Sequence, residues 1–153
     1  MKLKQLSLVI SNEPGALVRV CEVLKRHSIS ISTLTLADTA NFGILRLIIQ
    51  NWEEALKALE DDGLVVKVSD VLAISIPHVS GGLLKILELL NENRVNVEYM
   101  YGFSLSTRER SVQIFRLDDT DRAIEVLEQA EVCLLEPDEL FQKECDSIRK
   151  SPI

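Results

Sequence analysis

The chain has 153 residues and a mass of 17.2 kDa; 46% of it is hydrophobic and 27% charged, which suits a packed core and excludes a disordered polymer. Its 24 Asp and Glu outnumber 17 Lys and Arg for a formal charge of -7, and no basic arm or stripe stands out, so nucleic acid is not an expected partner. No apolar run reaches the roughly 18 residues of a spanning helix, and Met1–Lys4 lead into an alternating stretch rather than a signal-peptide core; membrane and export are not expected, and the cytoplasm is.

In chain order, Leu6-Ser7-Leu8-Val9-Ile10 reads as a strand. Glu13-Pro14-Gly15-Ala16-Leu17 then breaks it and opens a helix with the apolar stripe Leu17, Val20, Cys21, Leu24. Ile29-Ser30-Ile31-Ser32 alternates as a second strand, and Asp38-Thr39-Ala40-Asn41 supplies a hairpin turn before the strand Gly43–Ile49. A helix marked by Ala55, Leu56 and Leu59 and ended by Gly63 leads to a last strand, Leu64–Val68. The same order then returns. Leu72–Ile76 answers the first strand, Ser80-Gly81-Gly82-Leu83 opens a helix, and the stripe Leu83, Ile86, Leu87, Leu90 lies 66 residues after its counterpart. Val95-Asn96-Val97 answers Ile29–Ile31. Arg110–Arg116 answers Gly43–Ile49 at an offset of 67, and Ala123, Ile124 and Leu127 answer the second helix at 68. The drift predicts one or two extra residues within Tyr101–Arg110, near a turn at Thr107-Arg108-Glu109. Val132–Glu136 closes the second copy.

Each half therefore reads strand, helix, strand, strand, helix, strand. Right-handed crossovers put both helices of a half on one face of an antiparallel sheet. The expected class is α+β, two tandem ferredoxin-like βαββαβ domains over residues 1–69 and 70–136. Residues 137–153 are expected to form a helical extension, opened by Pro137 with Asp138 and Glu139 in its first turn and carrying Phe141, Cys145 and Ile148 on one side.

Cys21 and Cys133 are read as small buried hydrophobes, and Cys145 has no obvious base beside it; the spacing of the three fits no metal pattern. Two distant histidines, His27 and His78, make no metal site; His27 suits a helix C-terminus. The acidic runs Glu60-Asp61-Asp62 and Asp118-Asp119-Thr120-Asp121 sit at helix ends as caps, with Asp119 or Thr120 as the N-cap. No Ser-His-acid order, phosphate loop or dinucleotide fingerprint is present, so an enzyme is not expected, and neither is a cofactor or metal.

Two features invite a ligand. Asn12-Glu13-Pro14-Gly15-Ala16-Leu17 places a Pro-Gly turn at a helix start, where the amides of Gly15, Ala16 and Leu17 can seat a carboxylate and Asn12 offers both a donor and an acceptor; simple capping by Asn12 or Glu13 is the competing reading. Its counterpart, Pro77-His78-Val79-Ser80-Gly81-Gly82, puts His78 where Asn12 stands. Tyr99-Met100-Tyr101-Gly102-Phe103 offers either sheet packing or a pocket wall, in which Gly102 leaves room for a ligand or a close backbone; opposite it in the first repeat stand Thr33-Leu34-Thr35-Leu36-Ala37.

Over residues 3 to about 136 this pattern resembles the ACT domain family of small regulatory modules, on the βαββαβ order and on Asn12 two residues before Pro14-Gly15 with Leu17 two residues after the glycine. The resemblance implies a free amino acid as ligand, held between two ACT copies by Asn12, Glu13, Gly15, Ala16 and Leu17 on one side and Tyr99, Met100 and Tyr101 on the other. It also implies a possible second site at His78, Ser80, Gly81 and Gly82 facing Thr33 and Leu34, although Ser80 and His78 depart from the motif. The implied function is a stand-alone, non-catalytic amino-acid sensor acting on a separate biosynthetic enzyme; the edge strands left by two adjacent sheets point to a homodimer. The alternative is a regulatory subunit like the small subunit of acetolactate synthase, with no ligand of its own.

Overall fold

The computed structural model describes residues 1–38, 41–103 and 110–140. The elements are β1 (Lys2–Ser11), α1 (Ala16–Arg26), β2 (Thr33–Asp38), β3 (Phe42–Ile48), α2 (Trp52–Asp61), β4 (Val66–Pro77), α3 (Gly82–Glu92), β5 (Val97–Phe103), β6 (Arg110–Leu117), α4 (Thr120–Gln129) and β7 (Leu134–Leu135). They fall into two compact units, one of Lys4–Ser69 and one of the residues from Asp70 onward together with Met1–Leu3.

In the first unit the strands run antiparallel in the order β2-β3-β1. Pairing sets Leu6 opposite Leu47 and Leu8 opposite Leu45, so alternate residues of both strands share the face that α1 and α2 cover. Leu6, Leu8, Leu45, Leu47 and Ile49 meet Val20, Val23 and Leu24 of α1 and Ala55, Ala58 and Leu59 of α2 there. Burial of each large side chain contributes about 1.5–3 kcal/mol. The buried stripe of α1 is thus Val20, Val23, Leu24. Cys21 is exposed, contrary to the expectation from its apolar neighbours. Cys133, also expected inside, is exposed too; its backbone carbonyl accepts from Ser75 N.

The second unit repeats the plan. β5-β6-β4 run antiparallel, and β7 pairs the other side of β4 through Ala73 with Leu135 and Ile74 with Leu134. Leu72, Phe115 and Met100 sit in one row across three strands and pack with Ile86 and Leu90 of α3 and Ala123 and Leu127 of α4. This register corrects the offset of 67 between β3 and β6. Leu6 faces Leu47 and Leu72 faces Phe115, which makes Phe115 the counterpart of Leu47 at 68. A slip of one residue would have turned every β6 side chain to the wrong face. The drift falls between β5 and β6, as expected: Phe103 answers Ala37 at 66 and Val112 answers Ile44 at 68, while the bulge between Val97 and Tyr99 leaves the offset of 66 unchanged. Two strand readings also change. Ile29–Ser32 precedes β2 rather than forming it, and Leu64–Val68 and Leu72–Ile76 contribute to a single element, β4. The expected turn residues Thr39 and Ala40 and Thr107–Glu109, and Phe141, Cys145 and Ile148, lie outside the described residues. The helical backbone does start at Pro137, where the Glu139 carboxylate accepts from Glu136 N.

Helices α1 to α4 end alike. A residue at positive φ follows the cap (Ser28 at 56°, Gly63 at 83°, Arg94 at 58°, Glu131 at 54°), and the next amide returns to the last turn, as in Ile29 N to Leu24 O at 2.9 Å and Val132 N to Leu127 O at 2.9 Å. His27 is the C-cap of α1, but the backbone of Ser28 and Ile29, not its imidazole, meets the end carbonyls. A left-handed residue with a Cβ costs about 1–2 kcal/mol, part of which glycine returns through unfolded-chain entropy. Glu131→Gly and Arg94→Gly should each therefore raise stability by about 0.5–1 kcal/mol, readable as a higher urea midpoint at unchanged m.

Asp62, the C-cap of α2, does more than cap. Its carboxylate accepts from Arg19 Nε at 3.1 Å and Arg26 Nη2 at 2.7 Å, and its backbone oxygen accepts from Arg19 Nη2 at 2.6 Å, so it ties α2 to α1. The hydrogen bonds from Arg26 and Arg19 hold its carboxyl below the ordinary carboxylate range. A lowered folded-state pKa contributes stability above the unfolded value, and that contribution is lost as pH falls through the folded one. Asp62→Asn should accordingly lower the melting temperature at pH 7, with the gap to the native protein closing as pH drops below about 4.

Candidate functional site

The turn between β1 and α1 is exposed from Ser11 to Gly15. Gly15 sits at φ 94° in left-handed backbone, and an added Cβ would meet nothing within 4 Å; the glycine serves the conformation rather than a close neighbour. The N-cap of α1 is Gly15, which has no side chain to cap with, and of the capping reading the structure keeps the Glu13 backbone oxygen, which meets one orphan amide. Ala16 N donates to Glu13 O at 3.2 Å and is occupied, while among the described residues the amides of Gly15 and Leu17 have no protein acceptor. Asn12 N is fixed by Asn41 O at 3.3 Å, and the Asn12 side chain projects from an exposed residue.

The turn before α3 keeps the same two backbone hydrogen bonds, 66 residues on. Gly81 has φ 83°, Gly82 N donates to Val79 O as Ala16 N does to Glu13 O, and Lys85 N donates to Gly81 O as Arg19 N does to Gly15 O. The Ser80-Gly81-Gly82 stretch, weak as a sequence motif, therefore keeps the backbone of the Pro-Gly turn. Beside it lies a cavity of about 350 Å³, bounded by Ile76 and Pro77–Ser80 of the turn, Leu83 of α3, and Ser111 and Gln113 of β6.

Ser111 and Gln113 escaped the sequence reading. Ser111 pairs with Ile76 and Gln113 with Ile74 on the helix-covered face, where the first unit has Gly43 with Ile10 and Leu45 with Leu8. The missed signal was a glutamine at a core-facing position, visible only with the β6 register at 68. Gly102 lies directly across from Gln113, and a Cβ there would stand 2.5 Å from both amide atoms of that side chain. The room expected at Gly102 for a ligand or a backbone is filled by Gln113.

Met100 packs into the core of its own unit, whereas Tyr99 and Tyr101, half-buried, project from the opposite face of β5. The three expected wall residues therefore do not share a surface. Thr33 and Leu34 lie on β2, Thr33 paired with Ile48 and Leu34 with Leu47, and Leu34 is exposed. His78, Ser80 and Gly81 are exposed while Gly82 is buried. Among the described residues no group of three His, Cys, Asp or Glu could hold a metal ion, and no helix is long and apolar enough to cross a membrane.

A repeated βαββαβ plan with a left-handed glycine turn before the first helix of each copy defines a tandem regulatory module. The family model for the ACT domain pair matches residues 1–143, and the chain belongs to that family. It is similar to protein BT0572 from Bacteroides thetaiotaomicron, at 40% identity over 92% of this chain and 96% of that one, with a TM-score of 0.85. It shares its fold with the regulatory subunit of aspartate kinase from Thermus flavus (19% identity, 85% and 93% of the chains, TM-score 0.61) and from Thermus thermophilus in ligand-free form (17%, 85% and 93%, TM-score 0.60). No curated protein matches the sequence. ACT domains are non-catalytic regulatory modules associated with amino-acid metabolism.

Proposed function

We propose that this protein is an amino-acid sensor without chemistry of its own, which binds a free amino acid at a glycine turn and regulates a separate biosynthetic enzyme, acting as a homodimer. The observation that carries this reading is the turn itself. Gly15 bends the chain so that the Gly15 and Leu17 amides, at the positive end of α1, lack acceptors among the described residues, with the exposed Asn12 beside them. Such amides suit a carboxylate, and Asn12 suits the ammonium or carboxylate of the same molecule. Asn12, Glu13, Gly15, Ala16 and Leu17 form this seat, with Ala16 contributing shape rather than a free donor; a second ACT copy completes it. The solved aspartate kinase regulatory subunits support the general role by their fold and lend no ligand.

A thermal-shift screen of all common amino acids against the full chain tests the reading. A ligand at tenfold excess over its Kd should stabilise by about 1.4 kcal/mol, and one chemical class should stand out. Silence across the whole set overturns the sensor role.

A further inference from the structure

We propose that the Asp62–Gly63 bond is the chain's site of spontaneous isoaspartate formation, and that Arg19 and Arg26 are the clamp that keeps it from rearranging in the folded protein. Asp62-Gly63 is the only Asp-Gly pair in the sequence, and no Asn-Gly pair is present. Glycine has no Cβ to shield its amide nitrogen, so an aspartate before glycine is the one most open to attack by the following amide. In that reaction the Gly63 nitrogen attacks Asp62 Cγ and a C–N bond forms. The carboxyl hydroxyl leaves with the amide proton as water, and a succinimide ring remains. Water then opens the ring at Cγ, which restores aspartate, or at the main-chain carbonyl, which gives isoaspartate with the backbone running through Cβ and Cγ.

The fold opposes ring closure in three ways. Asp62 sits at φ -83° and ψ 3°, so the Gly63 nitrogen eclipses Asp62 N, whereas the ring needs it in line with Cβ. Gly63 N donates to Glu60 O at 2.9 Å, and Leu64 N to Leu59 O at 3.0 Å holds the same turn. The carboxylate accepts from Arg26 Nη2 at 2.7 Å on one oxygen and from Arg19 Nε at 3.1 Å on the other, so it cannot swing toward its own peptide without losing both. These contacts also favour the ionised carboxyl, and an ionised carboxyl has no hydroxyl to release. The first two constraints belong to one partly exposed helix end, which opens locally at little cost. The arginines tie that end to a second element, α1.

The second repeat has no such pair. Its α4 ends at Ala130 and Glu131, the latter at φ 54° where the first repeat has Gly63 at 83°. Ala130 has no carboxyl to close on the following amide, so the reactive bond is a property of the first unit. Isoaspartate at position 62 would lengthen the main chain by a methylene and shift the carboxylate. Arg19 and Arg26 would be released together, and the Asp62 backbone oxygen that accepts from Arg19 Nη2 at 2.6 Å would be displaced. Rearrangement would therefore untie α2 from α1. Water has access to the bond, because Arg19, Glu22, Lys25, Arg26 and Asp62 border an open cavity of about 660 Å³.

Timed incubation of the full chain at neutral pH tests the assignment. The samples are the native protein, the double variant Arg19→Ala/Arg26→Ala, Arg26→Ala alone, Lys25→Ala, and the native chain unfolded in guanidinium chloride; circular dichroism checks that the first four are folded. Isoaspartate is read by methyl transfer from S-adenosylmethionine with an isoaspartate-specific carboxyl methyltransferase and located by peptide mass spectrometry. The unfolded chain should form it at Asp62 ahead of every other Asp and Asn. The native protein and Lys25→Ala should be slower than the unfolded chain. The double variant should exceed the native rate by about tenfold, with Arg26→Ala between the two. If the double variant does not fold, Arg26→Ala carries the comparison by itself. A different first residue in the unfolded chain overturns the site. A native rate equal to the unfolded one overturns the protection. Folded arginine variants no faster than native, or Lys25→Ala as fast as they are, overturn the role of the clamp.

Discussion

Phe115→Ala should destabilise the second unit by about 3–5 kcal/mol, the range for emptying a buried aromatic site. Phe115 is fully buried and, among the described residues, is the largest side chain so placed. It occupies the middle strand of β5-β6-β4, with Leu72 on one side and Met100 on the other, under α3 and α4. Neighbours on two strands and two helices cannot all close on an alanine, so both the lost transfer energy and the cavity left behind contribute. Leu47, its counterpart in the first unit, is smaller and equally buried, and Leu47→Ala should cost about 2–5 kcal/mol. Urea unfolding read by circular dichroism measures both. A loss under about 1 kcal/mol for Phe115→Ala would contradict the β6 register, because only that register points Phe115 at the helices.

Gly82→Ala should cost about 1–3 kcal/mol, although alanine is the better helix former and Gly82 opens a helix. A Cβ at Gly82 would stand 2.6 Å from Pro77 O and 3.3 Å from Ile76 Cγ2. The first contact is with backbone and cannot be relieved by a rotamer change. Pro77 O is also held by Val79 N at 2.8 Å, a bond that tightens this turn and has no counterpart in the first unit, where Ala16 carries its Cβ at the same position. Gly81→Ala offers the contrast. Open space surrounds its Cβ, so only the left-handed backbone penalty of about 1–2 kcal/mol applies. Asparagine, which visits that conformation more readily, should recover part of the loss at Gly81 and none at Gly82, as thermal denaturation of the four variants will show.

The duplication, the element order and both glycine turns were legible because burial imposes a period on apolar residues and left-handed backbone imposes glycine. Leu17, Val20 and Leu24 recur as Leu83, Ile86 and Leu90 for the first reason, Gly15 as Gly81 for the second. What was misread followed from patterns that several structures satisfy. Val20, Cys21, Val23 and Leu24 are all apolar, so α1 could have been rotated to bury either Cys21 or Val23, and only packing against β1 and β3 decides for Val23. Two more residues separate Phe103 from Val112 than separate Ala37 from Ile44, and with only one of them allowed for the β6 register came out one residue short. Ion pairs such as Arg19 with Asp62, 43 residues apart, depend on how α1 meets α2, which local sequence does not encode. Gln113 was hidden for the same reason as Phe115: a strand residue has meaning only once its face is known. The turn at Asn12 was legible as a backbone motif, while the cavity near His78 needed β6 paired to β4 before Ser111 and Gln113 came beside the turn.

The matching hydrogen bonds of the two glycine turns have an evolutionary consequence. The bend in each copy is made by main-chain atoms held by the same two hydrogen bonds, so side chains on the neighbouring strand can change without disturbing how either copy bends. A duplicated gene of this design can let the surfaces beside its two turns diverge within one polypeptide while both turns keep their shape.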